Sequence, residues 1–441
     1  MTYEEASGDI RMALTGDSLI SRRLRPYREP AFLALADLLR GADVSVTNAE
    51  TLFHHYEGVP LSDSGPFGTY AACDPVVIDD LKWLGFKMVS TANNHAVDYG
   101  EVGLLSNLRH LTAHGLPHAG TGRNLTEAAA PAYLDTPAGS VALLALTLTL
   151  PPGDHRAGEA RGPIRARPGA NVLRQTITNT VPQAAFDQLR EIGRQLNLGL
   201  GFRETAEGLQ FLGQRFVAGD TYQRDAVAND FDLQLNLRWI AEARRMADWV
   251  VVSMHCHERG ATPDDPPDLA RSFAHACIDA GADVVFGHGP HRERGIEIYN
   301  GKPILYALGN FVLHNDLIKW QPWDLYTRYG LGPEATTSDL YDHRSGNGTR
   351  GQAVESIGWR TVVATVDFTA HTLSEIRLHP VDLGFDTGKR SQRGRPVLAS
   401  GTVAEEILCR MQQLCAPYGT EVAIADGCGL IRVAAQAKAS A

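Results

Sequence analysis

No Cys-x-x-Cys pair occurs in this sequence. Its six cysteines, Cys73, Cys256, Cys277, Cys409, Cys415 and Cys428, are scattered along 441 residues. That spacing excludes a zinc ribbon and a dense disulfide framework, and it fits a reducing cytoplasm. Long apolar runs are missing too. No stretch reaches the roughly 18 residues that cross a bilayer, and the opening MTYEEASGDIRMALTGDS is acidic, with no signal-like apolar segment. A cytoplasmic protein without a membrane partner is predicted. Nor is there an excess of positive charge: 41 basic against 51 acidic residues leave a formal net charge of -10, which argues against nucleic acid as a partner. Internal repeats and low-complexity tracts are absent.

What is present is an ordinary globular composition, 44% hydrophobic, enough for one large domain or two moderate ones. RMALTGDSLI reads as a buried strand running into a Gly-Asp turn. PAFLALADLLRGA reads as an amphipathic helix closed by Gly41, and DVSVTNAE as an alternating strand. The alternation repeats through DPVVIDDLKWLGF, KMVSTANNH, EVGLLSNLRHLTAHG and SVALLALTLTL, and it resumes at IAEARRMA, DWVVVSMHCHERG, PDLARSFAHACIDAGA, DVVFGHGPH and KPILYALGNFVL. The expected class is α/β with layered, buried sheets.

Between residues 151 and 231 the texture changes to an Arg-rich segment punctuated by Pro and Gly, with a helical piece around QAAFDQLREIGRQLNLG. We read it as an insertion that divides a core of residues 10–150 and 232–400. Residues 401–441 form a C-terminal helix and tail, with AAQAKASA fraying at the end. Residues 314–358 carry Trp320, Trp323, Tyr326 and Tyr329 with little periodicity, the signature of a functional or mobile loop.

Polar residues collect where the apolar runs stop. Asp17 follows the first strand, Asn48 and Glu50 the second, Asn94 and His95 the third; His255 and His257 follow a later one, and His288 and His291 another. Strand carboxyl ends are where sites assemble in α/β sheets, so these side chains are expected to converge. Carboxylate, amide and imidazole donors together suit one or two divalent ions of Mn, Fe, Co or Zn. Among them GHGPH, with two histidines three apart, is the most specific piece, whereas His257 reads more naturally as a packed core histidine.

The order of GDSL, NAE, ANNHAVDYGEVGLL, HAGTGRNLTEAAAP, VVVSMH, GADVVFGHGPH and GKPILYALGNFV resembles the CapA-like family. This is the poly-γ-glutamate capsule-synthesis branch of the calcineurin-like metallophosphoesterases. The resemblance implies a four-layered α/β/β/α sandwich with the insertion beside it. It also implies metal ligands Asp17, Glu50, Asn94, His255, His288 and His291, with Glu50 bridging and His95 as the nearby acid or base. The chain departs from the superfamily pattern at Ser18-Leu19, where Asp-x-His is usual, at Glu50 in place of Asp, and at His-x-x-His in place of His-x-His.

Two reactions suit such a centre. Hydrolysis of a phosphoester or other anionic substrate needs an activated water and cations for the anion. Arg156, Arg161, Arg165 and Arg167 supply such cations or form a solvated face. Alternatively, a metal-held carboxylate would acidify its Cα, and His95 and His291 would invert that centre in a peptide. Asn48 lies beside the ligands, and Trp320 and Trp323 would cover a bulky peptide end or pack over the core. A third reading is a module that binds or processes a poly-γ-glutamate-related polymer. The expected partner is a small anionic or peptide substrate, and hydrolysis leads.

Overall fold

The apolar run Ile10–Leu19 forms a strand with nearly every side chain buried, at the centre of a ten-stranded mixed sheet. These features come from a computed structural model that describes residues 8–61, 68–149 and 155–433. The expected fraying tail 434–441 and the junction 150–154 lie outside the described residues. The Ile10–Leu19 strand changes partners along its length. Up to Leu14 it pairs antiparallel with Arg360–Thr369, and from Asp17 it pairs parallel with Asn310–Leu313. On its other side lies Val44–Asn48, in parallel, and then Met88–Ser90.

A second sheet has six strands, ordered Glu293–Tyr299, Lys302–Leu308, Val284–His288, Trp249–His255, Gly139–Thr147 and Ala132–Thr136. Its inner four are parallel, as continuous apolar runs such as WVVV and SVALLAL require when both faces are covered. One hydrophobic cluster joins the sheets, with Met12, Leu14 and Val46 from the first against Leu143, Trp249, Val251 and Phe286 from the second. The opposite face of the first sheet is covered by the helices Pro30–Arg40 and Val77–Leu84. Pro30 starts the first of these and Phe32, Leu35, Ala36 and Leu39 form its buried stripe, as the 3.6-residue period predicts. The helix Asp268–Asp279 packs on the second sheet. The architecture is therefore mixed α/β with helices and two stacked sheets.

Residues Leu173–Gln234 form a compact unit of their own. The expected helix is there as Gln183–Gln195. Around it runs a five-stranded sheet, Phe202–Thr205, Gly208–Phe211, Gln214–Gly219, Gln175–Pro182 and Gln223–Ala228. Few of these strands alternate cleanly, because most of their side chains are half-buried or exposed. The aromatic segment after residue 314 is also more regular than its sequence suggests. It contains the short helices Trp323–Arg328 and Thr337–Ser345, the second opened by a capping box between Thr336 and Asp339. Two helices of six and nine residues are too short for periodicity to reveal.

Candidate metal centre

The strand registers set the site. Asp17 pairs with Asn48 and Asn48 with Ser90 across one sheet, while His255 pairs with His288 across the other. The two rows meet at the carboxyl ends of their strands. Asp17 Oδ1 accepts a 2.8 Å hydrogen bond from Asn48 Nδ2, and Oδ2 accepts one of 2.8 Å from the Gly289 N–H. His288 Nδ1 stands 3.4 Å from Asp17 Oδ1, His255 Nδ1 3.8 Å from the same atom, and His291 Nδ1 3.7 Å from Oδ2. His255 and His288 turn their Nδ1 atoms toward one another at 2.9 Å. The far nitrogen of His288 is fixed by Ser253 Oγ at 2.7 Å.

Glycine makes this convergence sterically feasible. A Cβ at Gly16 would sit 1.9 Å from the Gly309 carbonyl oxygen, the oxygen that accepts the Asp17 N–H at 2.9 Å. Gly289 adopts φ 112° and His291 φ 55°, so the GHGPH turn runs through left-handed backbone twice. His291 is then held by Asn310 Oδ1 at 2.9 Å from Nδ1, and Asn310 donates onward to the Gly358 carbonyl.

Glu50 is completely buried, and neither carboxylate oxygen has a hydrogen-bond partner among the described residues. Its Oε1 faces His255 Nε2 at 3.7 Å and His257 Nε2 at 3.8 Å. The Asn94 amide oxygen completes that side, 2.9 Å from His255 Nε2 and 3.3 Å from His257 Nε2. An orphaned carboxylate in the interior is costly unless a cation answers it. Among the described residues, three groups have donors close enough to share an ion: Asp17, His255 and His288; Glu50, His255 and His257; and Asp17, Glu50 and His291. Oxygen and imidazole donors in this proportion fit one or two divalent ions.

Electrostatics separate the groups. Burial opposes charge on Asp17, yet the His288 contact and the neighbouring His255 and His291 hold its carboxyl far below the usual range. Burial, reinforced by Asp17, pushes Glu50 up to about 8. Burial keeps His255 well below its ordinary value. For His95 burial also opposes protonation, but Asp98, Glu50 and Asp17 outweigh it and raise the imidazole to about 9. His95 Nδ1 lies 2.7 Å from Asp98 Oδ2, which also accepts the Ala71 N–H at 2.7 Å. The run Asn93-Asn94-His95 thus divides its work. Asn93 bridges Asn48 and the Ala49 carbonyl, Asn94 turns to the histidines, and His95 joins Asp98.

Every sequence-predicted ligand therefore lies in one cluster, with Asn48 hydrogen-bonded inside it. Trp320 and Trp323 are more than half exposed, at 56% and 54%. Trp323 stacks on Tyr326 and Lys319 sits over Trp320. Arg156 lies in a short bridge with Ala170, and its carbonyl accepts from Arg167. Sequence reasoning assigned His257 to the core and gave Asp98 no role. His257 reads as core, yet its ring faces Glu50 and Asn94, and the His-x-His spacing with His255 at a strand end was the available signal. Asp98 follows His95 by three positions within a run of turns, and the two side chains pair there.

A family model described as bacterial capsule synthesis protein PGA_cap matches residues 7–315. The chain belongs to that family. All the clustered candidate residues fall within the matched span. An uncharacterized protein of Sinorhizobium fredii, y4sH, is 35% identical over 432 residues, covering 96% of this chain and 93% of its own length. The "PGA biosynthesis protein CapA" of Bacillus subtilis is 28% identical over 53% of this chain and 44% of its own length. A "Probable polyglutamine synthesis accessory protein" of Mycobacterium tuberculosis is 29% identical over 70% of this chain and 65% of its own length. As a PGA_cap protein the chain is of the CapA-like branch, and among its described residues no helix is long and apolar enough to cross a membrane.

Proposed function

We propose that this chain is a metal-dependent hydrolase of a phosphoester or another anionic substrate, built on a four-layered α/β/β/α sandwich of the metallophosphoesterase type. The observation that carries the reading is the orphaned Glu50 carboxylate, enclosed by histidines and lying close enough to the His95–Asp98 pair for the charges to interact. Asp17, Glu50, Asn94, His255, His288 and His291 would hold one or two divalent ions. When bound, such ions supply Lewis acidity for the substrate oxygen and for water. The rest is done by the chain. Asp98 fixes the His95 ring through Nδ1, leaving Nε2 to give a proton to the leaving group. Asn48 spans Asp17 and Ser90 and keeps the carboxylate oriented. Trp320, Trp323 and Arg156 are the residues we propose for substrate contact. Six free cysteines fit a cytoplasmic setting.

A second reading, inversion of a peptide Cα, is favoured by a separate observation. His95 and His291 are anchored by different partners, Asp98 and Asn310, beside one cluster of cation ligands. Each would reach a carboxylate-bearing substrate from its own side. Two relatives are named for PGA and polyglutamine synthesis, which supports an amino-acid-derived substrate in either reaction.

The test is incubation of metal-loaded protein in deuterated water with phosphoesters and with peptides that have a free C-terminus. Phosphate or fragment release without deuterium at Cα, reduced about 100-fold by Asp98→Asn, is expected for the hydrolase. Deuterium uptake without cleavage would replace it with the epimerase.

A further inference from the structure

His255 presents two nitrogens to two different sets of donors. Its Nδ1 faces Asp17 and His288, at 3.8 and 2.9 Å, and its Nε2 faces Asn94 and Glu50, at 2.9 and 3.7 Å. A neutral imidazole has one free lone pair, because its other nitrogen carries the proton. One of the two sets therefore needs another donor. His257 stands where that donor is required, with Nε2 3.3 Å from Asn94 Oδ1 and 3.8 Å from Glu50 Oε1. Donors about 2.1 Å from a tetrahedral ion lie about 3.4 Å from one another, close to the separations seen here.

The backbone of His257 is held from both sides. Its N–H donates to Thr149 Oγ1 at 2.8 Å. Arg294, 1% exposed, reaches the carbonyls of the residues before and after it, Cys256 at 3.5 Å and Glu258 at 2.6 Å. An arginine buried against two loop carbonyls fixes the path of a segment that belongs to no helix or strand. It is directed at the one residue of that segment whose ring enters the cluster.

We infer that His257 is a metal ligand of this chain, completing a second cation position with Glu50 and Asn94, and that Arg294 is the residue that positions it. The inference rests on the metal-dependent reading above and adds to it the number of ions and the ligand that permits the second. With His257 in place, His255 is free to act with Asp17 and His288, so each position keeps at least three protein donors, and His291 stands beside both carboxylates.

Titration of metal-free full-length protein with Co²⁺, followed by visible absorption and by bound metal after desalting, tests the inference without turnover. Two ions per chain are expected for the wild type. His257→Ala should retain one and weaken the other by more than about 100-fold, and Arg294→Met should weaken the same ion about 10-fold. Thermal melting of each metal-free variant reports folding. If Arg294→Met does not fold, Thr149→Val, which releases the other side of His257, is expected to give the same selective weakening. Equal stoichiometry and affinity in wild type and His257→Ala, whether one ion or two, would overturn the role of His257 and leave the metal-dependent reading intact. No Co²⁺ bound by the wild type would remove that reading and the inference together. Selective loss in His257→Ala with none in the Arg294 or Thr149 variants would overturn the positioning role.

Discussion

The two compact units bury their polar groups very differently. In the larger one, strand after strand carries a polar side chain into the interior. Asp17, Asn48, Glu50, Ser90 and His255 have no exposed surface, and His288 has 1%. In Leu173–Gln234 the buried apolar core is Val181, Phe186 and Leu209, and the strands around it are mostly half-exposed. Among the described residues, the three groups of donors able to share an ion all come from the larger unit. Burying an ionisable group is tolerated only where a rigid, well-packed frame and a partner answer it. The large unit has both, whereas the strands of the small unit leave much of their surface to solvent.

The largest expected effect is at the buried carboxylates. Asp17→Ala and Glu50→Gln should each lower turnover by about 1,000-fold or more and reduce bound metal. Metal-free Glu50→Gln should melt no lower than wild type, because the substitution replaces a buried carboxyl that has no hydrogen-bond partner and that burial already disfavours as an anion. A large drop in melting temperature would show that Glu50 is structural, and the contrast between the units would weaken. Next is the small core. Phe186→Ala should cost about 3–5 kcal/mol locally, seen as faster amide exchange in Leu173–Gln234 with unchanged protection in Ile10–Leu19 and unchanged metal content. Loss of metal in that variant would tie the two units together.

A smaller effect tests how dry the large unit is. Burial, helped by Arg22 and Arg395, holds His314 down to about 3 from an ordinary 6.5, and its Nδ1 accepts from the Ser21 N–H. The unfolded chain therefore takes up the proton first. Stability is complete above about 6.5 and falls as the pH drops toward 3. Urea melts of metal-free protein across that window should show the decline, and His314→Asn should flatten it. Smallest of all, Trp320→Ala and Trp323→Ala should change stability by less than about 0.5 kcal/mol, since both indoles are largely exposed. A raised KM in either variant would assign them to substrate.

The large unit was the more legible one in the sequence for the same physical reason. Buried parallel strands write continuous apolar runs, so WVVVSMH and DVVFGH announce both the strand and the polar residue that ends it. The helix Pro30–Arg40 likewise declares its start, stripe and stop. The strands of Leu173–Gln234 face solvent on much of their surface and leave no such trace, so only the amphipathic helix Gln183–Gln195 was readable. Within the site, identities were legible and directions were not. His-x-His at a strand end hints that both rings share a side, but the path of the second, beyond the strand's last residue, is not written in the spacing. That depends on the clamp by Arg294, 37 residues away from His257 in the chain.

The contact of Gly16 with Gly309 also sets a timetable. Asp17 owes its backbone anchor to residue 309 and its side-chain anchor to residue 289, so a ribosome must travel almost 300 codons beyond Asp17 before that carboxylate has its final neighbours. A nascent chain shorter than 255 residues holds Asp17, Glu50 and Asn94 without the histidines that meet them. The cluster is consequently completed only after residue 309 has been made, long after its first carboxylates.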